Sequence, residues 1–158
     1  MELAKEFGTP LFVYDEIHLR SRCREAVEAF DGNVAYATKA FLCTEMARLA
    51  YQEGMNLDVA TGGELFIARK ADVPGERIVM HGNNKSLEEL NMALREGVGR
   101  IVVDSFNELD RLDQLCTDSG VSAKILLRVT PGVEAHTHEF VSTGQEDSKF
   151  GFTVKSGL

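Results

Sequence analysis

The chain has 158 residues, of which 44% are hydrophobic and 27% charged, and its formal net charge is −8. This length suits one domain with a sizeable core, and the composition is that of an ordinary globular chain, which excludes a disordered protein. The acidic charge argues against a nucleic-acid partner, and the absence of a long apolar run argues against a membrane-spanning protein.

Residues 1–30 precede any regular repeat and form a leading segment. Leu11–Tyr14 is β-rich, and Pro10 suits the first residue of a strand. After it, apolar residues recur at helical spacing and predict an amphipathic helix. Its apolar stripe comprises Leu19, Cys23, Ala26, Val27 and Phe30.

From residue 31 onward, short β-rich runs alternate with stretches of helical periodicity. Three of the helices are predicted to begin at S/T-x-x-E capping boxes, at Thr61, Ser86 and Ser105. Glycines stand where helices should end, at Gly54 and Gly97, and also at Gly120. The predicted strands are Val34–Tyr36, Leu57–Val59, Ile78–Met80, Ile101–Val103 and Ile125–Val129.

This alternation predicts an α/β fold with a parallel sheet. Two architectures fit five strands. One is a complete doubly wound sheet of the flavodoxin type, and the other is a (β/α)8 barrel that is cut off after about its fifth strand. Periodicity does not choose between them.

Active sites of parallel α/β folds gather at the carboxyl ends of the strands. Lys39 is the most suggestive residue there, because it follows the first strand directly. A lysine in an apolar or cation-rich pocket can act as the amine that forms a Schiff base, although a strand-end lysine can equally extend into solvent. The strand-end positions are Thr38 and Lys39, Ala60 to Glu64, His81 to Lys85, Asp104 and Ser105, and Arg128 to Pro131.

Other candidate sites have simpler explanations. Thr61–Glu64 could bind a phosphate at a helix N-terminus, but a capping box already explains it. Gly82–Ser86, with Lys85, could meet an anion or could simply turn into a capped helix. His136 and His138, in a polar loop over residues 131–150, lack a third ligand at a recognisable spacing, so we expect no metal site. Three widely spaced cysteines without a CxxC pair favour a reduced, cytoplasmic protein.

Five motifs, in order, resemble those of barrel-type pyridoxal-phosphate-dependent decarboxylases. Ala35–Ala40 resembles the motif that carries their Schiff-base lysine, and Asp58–Leu65 resembles the second-strand motif. His81–Ser86 and Arg128–Val133 are similar to the third- and fifth-strand motifs of the diaminopimelate decarboxylase branch. The stretch from His136 to Gly151 favours that branch over those acting on ornithine or arginine.

The resemblance implies decarboxylation of meso-diaminopimelate to lysine, with pyridoxal 5'-phosphate bound to Lys39. It also implies that Asp58, His81 and Arg128 contact the cofactor, and that residues 31–158 form part of the cofactor-binding barrel. The leading strand would then join a β domain beyond this sequence. We expect a small amino-acid substrate, a homo-oligomer (a dimer in the family), and no turnover by this N-terminal portion alone.

Three alternatives remain from the sequence. One is a complete five-stranded binding protein with flavodoxin-like winding. The chain could be a non-catalytic half-barrel that self-associates through open sheet edges. It could also belong to a decarboxylase of another basic amino acid in the same superfamily.

Overall fold

The computed structural model describes residues 2–131 and 150–154. Its helices are α1 (Glu2–Phe7), α2 (Glu16–Ala29), α3 (Thr44–Gln52), α4 (Gly62–Lys70), α5 (Leu87–Arg95) and α6 (Phe106–Ser119). Its strands are β1 (Ala35–Ala37), β2 (Asn56–Val59), β3 (Ile78–Met80), β4 (Arg100–Val103), β5 (Ile125–Leu127), β6 (Val129–Thr130) and β7 (Phe152–Thr153). None of these helices is long and apolar enough to cross a bilayer.

The first five strands form one parallel sheet in the order β1-β2-β3-β4-β5. Each strand therefore pairs with its neighbours in sequence, as in the wall of a barrel, whereas a flavodoxin-like sheet has the order 2-1-3-4-5. Strand order thus decides between the two predicted architectures and confirms the barrel. Within the described residues the wall is not closed, and β1 and β5 are its edges.

Burial alternates along the central strands, which agrees with a sheet covered by helices on one face. Leu57 and Val59 of β2 are fully buried, whereas Asp58 between them is only partly buried. Residues of α4 and α5, including Leu65 and Leu90, complete the same core. A doubly wound sheet has helices on both faces, and its strands are buried throughout. Asp58 consequently faces away from the helices, toward the inside of the barrel wall.

The predicted helix starts are correct, but only one of the three capping boxes is reciprocal. Ser86 accepts a hydrogen bond from the Glu89 amide, and the Glu89 carboxylate accepts one from the Ser86 amide. At α6, Ser105 accepts from the amide of Glu108, but the Glu108 carboxylate pairs with Lys85 instead. The ion pair with Lys85 therefore takes the place of the hydrogen bond that the Glu108 carboxylate would accept in a reciprocal capping box.

The predicted leading strand, Leu11–Tyr14, is wrong for this structure. Residues 11–15 have no regular secondary structure, and the Phe12 side chain is 88% exposed. A strand is held by hydrogen bonds to a neighbouring strand, and no described strand lies beside this segment. The fifth predicted strand is also divided, because β5 ends at Leu127 and β6 begins at Val129.

The predicted helix after the leading segment is α2, which begins after the N-cap residue Asp15. It is tied to the end of α3 by Arg20 and Arg24, whose guanidinium groups both bind the Glu53 carboxylate. These hydrogen bonds lower the pKa of Glu53. Phe30, however, is exposed, so the packed face of α2 is narrower than predicted. The division at residue 30 stays a prediction.

Candidate cofactor-binding site

The carboxyl ends of the strands surround a cavity of about 220 Å³. Lys39, Asp58, His81 and Arg128, which lie far apart in the sequence, all line this one cavity. They are brought together because all five strands run in the same direction and so end at the same edge of the sheet. Ala60, Gly82, Asn83 and Phe150 complete the lining.

Lys39 is held at the mouth of the sheet by the residue before it. The chain leaves β1 in a short 3₁₀ turn, Thr38–Ala40. Thr38 is buried, and its hydroxyl donates a hydrogen bond of 2.9 Å to the Asp58 carbonyl on β2. Because Thr38 fixes the turn, the exposed Lys39 side chain starts from a defined position beside the cavity.

Asp58 and His81 lie next to each other on adjacent strand ends. His81 Nδ1 is 3.5 Å from Asp58 Oδ2, at the long limit of a hydrogen bond. The other carboxylate oxygen of Asp58 is buried and has no hydrogen-bond partner within residues 2–131 and 150–154. A buried acceptor of this kind is costly unless a donor meets it, so the site is suited to a ligand that carries one.

Arg128 also lines the cavity. Its Nη1 donates to Asp104 Oδ1 at 3.0 Å, and its guanidinium carbon lies 4.3 Å from the centre of the Phe150 ring. Asp104 Oδ2 also accepts a hydrogen bond of 3.1 Å from the Gly151 amide. Both the carboxylate and the aromatic ring therefore restrict the arginine.

A buried ion pair contacts the backbone at Gly82, which lines the cavity. Lys85 Nζ contacts Glu108 Oε1 at 2.7 Å, and the two side chains are 0% and 6% exposed. The same ammonium donates to the carbonyls of Gly82 and Val102, at 2.5 and 2.8 Å. Two carbonyls and a carboxylate thus surround the ammonium group. The possible role of Lys85 as an anion ligand is not supported.

The possible phosphate cradle at Thr61–Glu64 is likewise filled by the protein. The Gly62 amide at the start of α4 donates to the Glu89 carboxylate at 2.8 Å. Burial disfavours ionisation of Glu89, but hydrogen bonds from the Ser86 and Gly62 amides and the Ser86 hydroxyl, together with the charge of Lys85, lower the pKa of Glu89. Glu89 therefore joins the starts of α4 and α5 and takes the place of an external anion.

A larger cavity, of about 550 Å³, lies away from the strand ends, between α2 and α3. It is bordered by the stacked rings of Tyr14 and Phe41 and by Met46. Arg20 and Arg48 also border it, but each is paired with glutamate. The smaller cavity is the better candidate site, because it joins an amine, a guanidinium, an imidazole and a carboxylate.

The candidate metal ligands and the cysteines are the remaining features that the sequence singled out. His136 and His138 lie outside the described residues. Within residues 2–131 and 150–154, no group of three or more potential metal-binding side chains occurs. The three cysteines are free thiols.

The sequence did not assign a role to Asp104 or Phe150. Asp104 follows a predicted strand and Phe150 lies within a motif, but neither position indicates which side chain it will contact. Their contacts with Arg128 depend on how β4 and the segment 150–154 pack beside the end of β5. The resemblance of the stretch from His136 to Gly151 to one branch of the family is the signal available for Phe150.

Comparison with known proteins identifies relatives of the whole chain. Residues 16–157 match the family described as "Pyridoxal-dependent decarboxylase, pyridoxal binding domain". The chain is 58% identical over 158 residues to a diaminopimelate decarboxylase of Mycobacterium tuberculosis, and the match covers 99% of this chain and 35% of that protein. It is 53% identical over 160 residues to the diaminopimelate decarboxylase of Bacillus subtilis, covering 98% of this chain and 36% of that protein.

Solved structures agree with this similarity. The structure of diaminopimelate decarboxylase from Helicobacter pylori complexed with L-lysine matches with a TM-score of 0.91 and 31% identity, over 99% of this chain and 40% of that one. A lysine/ornithine decarboxylase from Vibrio vulnificus complexed with putrescine has a TM-score of 0.69 and 27% identity, over 80% of this chain and 34% of that one. The chain therefore spans a little over a third of the length of these relatives.

Proposed function

We propose that this chain, which belongs to the pyridoxal-dependent decarboxylase family, supplies the cofactor-carrying part of a diaminopimelate decarboxylase. The reaction would convert meso-diaminopimelate to lysine and carbon dioxide. The observation that carries the proposal is the meeting of Lys39 with Asp58, His81 and Arg128 in one cavity. The similarity to enzymes of that name, at 51–58% identity, supports the choice of substrate.

The residues of the cavity fit pyridoxal phosphate. The cofactor has an aldehyde, a phenolic oxygen, a protonatable ring nitrogen and a phosphate. Lys39 offers an amine for the aldehyde, Arg128 offers cationic donors for an anionic oxygen, and Asp58 offers a buried oxygen in need of a donor. Gly82 lets the backbone approach closely, since a Cβ there would lie 3.0 Å from the Ala60 carbonyl oxygen.

Each side chain then has a proposed role. Lys39 would hold the cofactor through its side-chain amine, at the mouth of the sheet. Asp58 and His81 would line the mouth of the barrel beside the cofactor, and Arg128 would lie close to its ring. When bound, pyridoxal phosphate supplies an electron-withdrawing ring that accepts the electron pair left by the departing carboxylate.

The substrate class rests on similarity to relatives of known name. The V. vulnificus lysine/ornithine decarboxylase matches less of the chain and at a lower TM-score than the diaminopimelate decarboxylase of H. pylori. This difference favours diaminopimelate over ornithine or another basic amino acid. A homo-oligomer, a cytoplasmic location and the lack of turnover by this chain alone stay predictions.

The test is to mix the chain with pyridoxal phosphate, reduce it with borohydride and map the modified lysine by mass spectrometry. Borohydride converts the carbon–nitrogen double bond to a stable amine, so one stoichiometric adduct on Lys39 is expected. Lys39→Ala should abolish it, and Lys124→Ala, at an exposed strand-flanking lysine, should leave it unchanged. Label spread over surface lysines in all three proteins would refute the proposal.

Decarboxylation needs a separate measurement. Lysine release from meso-diaminopimelate should be compared with amine release from ornithine and arginine, using the protein that contains this chain in its complete form. Preference for ornithine or arginine would contradict the proposed substrate and leave the cofactor site intact.

A further inference from the structure

We propose that Asp104 is a positioning residue of the cofactor site, which holds Arg128 and the segment bearing Phe150 in one fixed arrangement. This inference rests on the proposed function, because it assigns Arg128 to the cofactor. Asp104 itself does not line the cavity and would act only through its neighbours.

The carboxylate of Asp104 has a separate partner for each oxygen. Oδ1 accepts from Arg128 Nη1 at 3.0 Å, and Oδ2 accepts from the Gly151 amide at 3.1 Å. Asp104 is only 4% exposed, so water does not compete for these contacts. Hydrogen bonds to a buried carboxylate are among the strongest in proteins. The Asp104 carboxylate thereby links Arg128 to Gly151, which is 47 positions from Asp104 in the chain.

The backbone reinforces the same arrangement. The Phe152 amide donates to the Arg128 carbonyl at 2.8 Å, and the Thr130 hydroxyl donates to the Phe150 carbonyl. Gly151 has a φ of +72°, and a Cβ there would lie 2.6 Å from the Arg128 carbonyl oxygen. The close approach that brings the Gly151 amide to Asp104 therefore requires glycine at this position.

This geometry limits the freedom of Arg128. A guanidinium has five N–H donors, and Asp104 engages it at Nη1 while the Phe150 ring covers a face of the same group. The remaining donors are then presented to the cavity from a restrained side chain. Without Asp104, Arg128 would have to be ordered when the cofactor binds, and affinity would fall by the cost of that ordering.

Asp104→Asn is the sharpest single change, because asparagine has nearly the same shape. It keeps an acceptor for one partner but places an amide donor opposite the other and removes the charge. We expect the Kd for pyridoxal phosphate, measured from the visible absorbance of the Lys39-bound cofactor, to rise about tenfold, or about 1.4 kcal/mol. Asp110→Asn, at an exposed position of α6, is the matched control and should not change the Kd.

A double-mutant cycle separates positioning from a general structural role. If Asp104 acts through Arg128, Asp104→Asn should change the Kd less than about twofold in an Arg128→Gln background. A tenfold loss that persists in that background would overturn the inference. So would an unchanged Kd in Asp104→Asn alone.

Hydrogen exchange of the wild-type chain provides a second measurement if Asp104→Asn does not fold. Because binding and positioning are thermodynamically linked, saturating pyridoxal phosphate should slow exchange of the Gly151 amide. Unchanged exchange would overturn the inference. Failure of the wild-type chain to form any Lys39 adduct would refute the proposed function and this inference together, whereas an adduct with an unchanged Asp104→Asn affinity refutes this inference alone.

Discussion

Replacing Glu108 by glutamine removes the countercharge of a lysine that is sealed from water. Lys85 is fully buried and has three partners, namely the Gly82 and Val102 carbonyls and the Glu108 carboxylate. The variant keeps the size of the side chain but leaves an ammonium without a compensating charge. Because Gly82 lines the cavity, the same change should also loosen the loop that carries His81.

The expected cost follows from the burial of the pair. Removing one partner of a buried ion pair costs about 3–5 kcal/mol, and the lower figure is appropriate here because two carbonyls still bind Lys85. With a urea dependence of about 1.5 kcal/mol per molar for a chain of this size, a loss of 3 kcal/mol lowers the unfolding midpoint by about 2 M urea. Far-UV circular dichroism in a urea titration measures this shift directly.

Two further variants make the result interpretable. Glu45→Gln removes the partner of Arg48 at an exposed position, where the Glu45 side chain is 78% exposed, and should cost less than about 0.5 kcal/mol. A Lys85→Met, Glu108→Leu double variant removes both charges and should recover most of the stability lost in Glu108→Gln. If Glu108→Gln were no more destabilising than Glu45→Gln, the reasoning from burial would be refuted.

Four further substitutions test a helix cap, two glycines and the edge of the sheet. The pKa of Glu89 is lower in the folded state than in the unfolded state, so its ionised form stabilises the fold above its unfolded pKa of about 4.3, and this contribution is lost as the pH falls through the folded pKa. Glu89→Gln should therefore shrink the difference in unfolding free energy between pH 7 and pH 3. An unchanged difference would contradict this prediction. Gly75→Ala should destabilise by about 1–3 kcal/mol in urea, because its Cβ would lie 2.0 Å from the Glu96 carbonyl oxygen. Gly63→Ala, within α4 and without a close contact, should instead stabilise the fold by about 0.5–1 kcal/mol. Equal effects of the two glycine substitutions on stability would contradict the argument from the Gly75 contact. Leu127→Glu, on the exposed edge strand β5, should reduce self-association measured by sedimentation velocity. A wild-type chain that is already monomeric would contradict the alternative of a self-associating half-barrel.

The residues that line the cavity could largely be predicted from the sequence, because the ends of the strands could be predicted. Lys39, His81 and Arg128 could be singled out at the carboxyl ends of β-rich runs, in motifs that resemble those of known enzymes. Asp58, inside the second run, is indicated by its motif alone. These residues share one cavity because parallel strands end at the same edge of the sheet. The partners of these residues were not predictable, because Asp104 and Phe150 meet Arg128 through packing between segments that are distant in sequence.

The sequence by itself determined the alternation of strands and helices, the helix starts at Thr61, Ser86 and Ser105, and the glycines after helices, because these depend on periodicity and contacts within a few residues. Tertiary structure alone decided the sheet order, the helices on one face and the use of Glu108 in an ion pair rather than a cap. It also decided that Leu11–Tyr14 is not a strand among the described residues. The physical reason is that a strand, a buried charge and a restrained arginine each need a partner that local sequence does not specify.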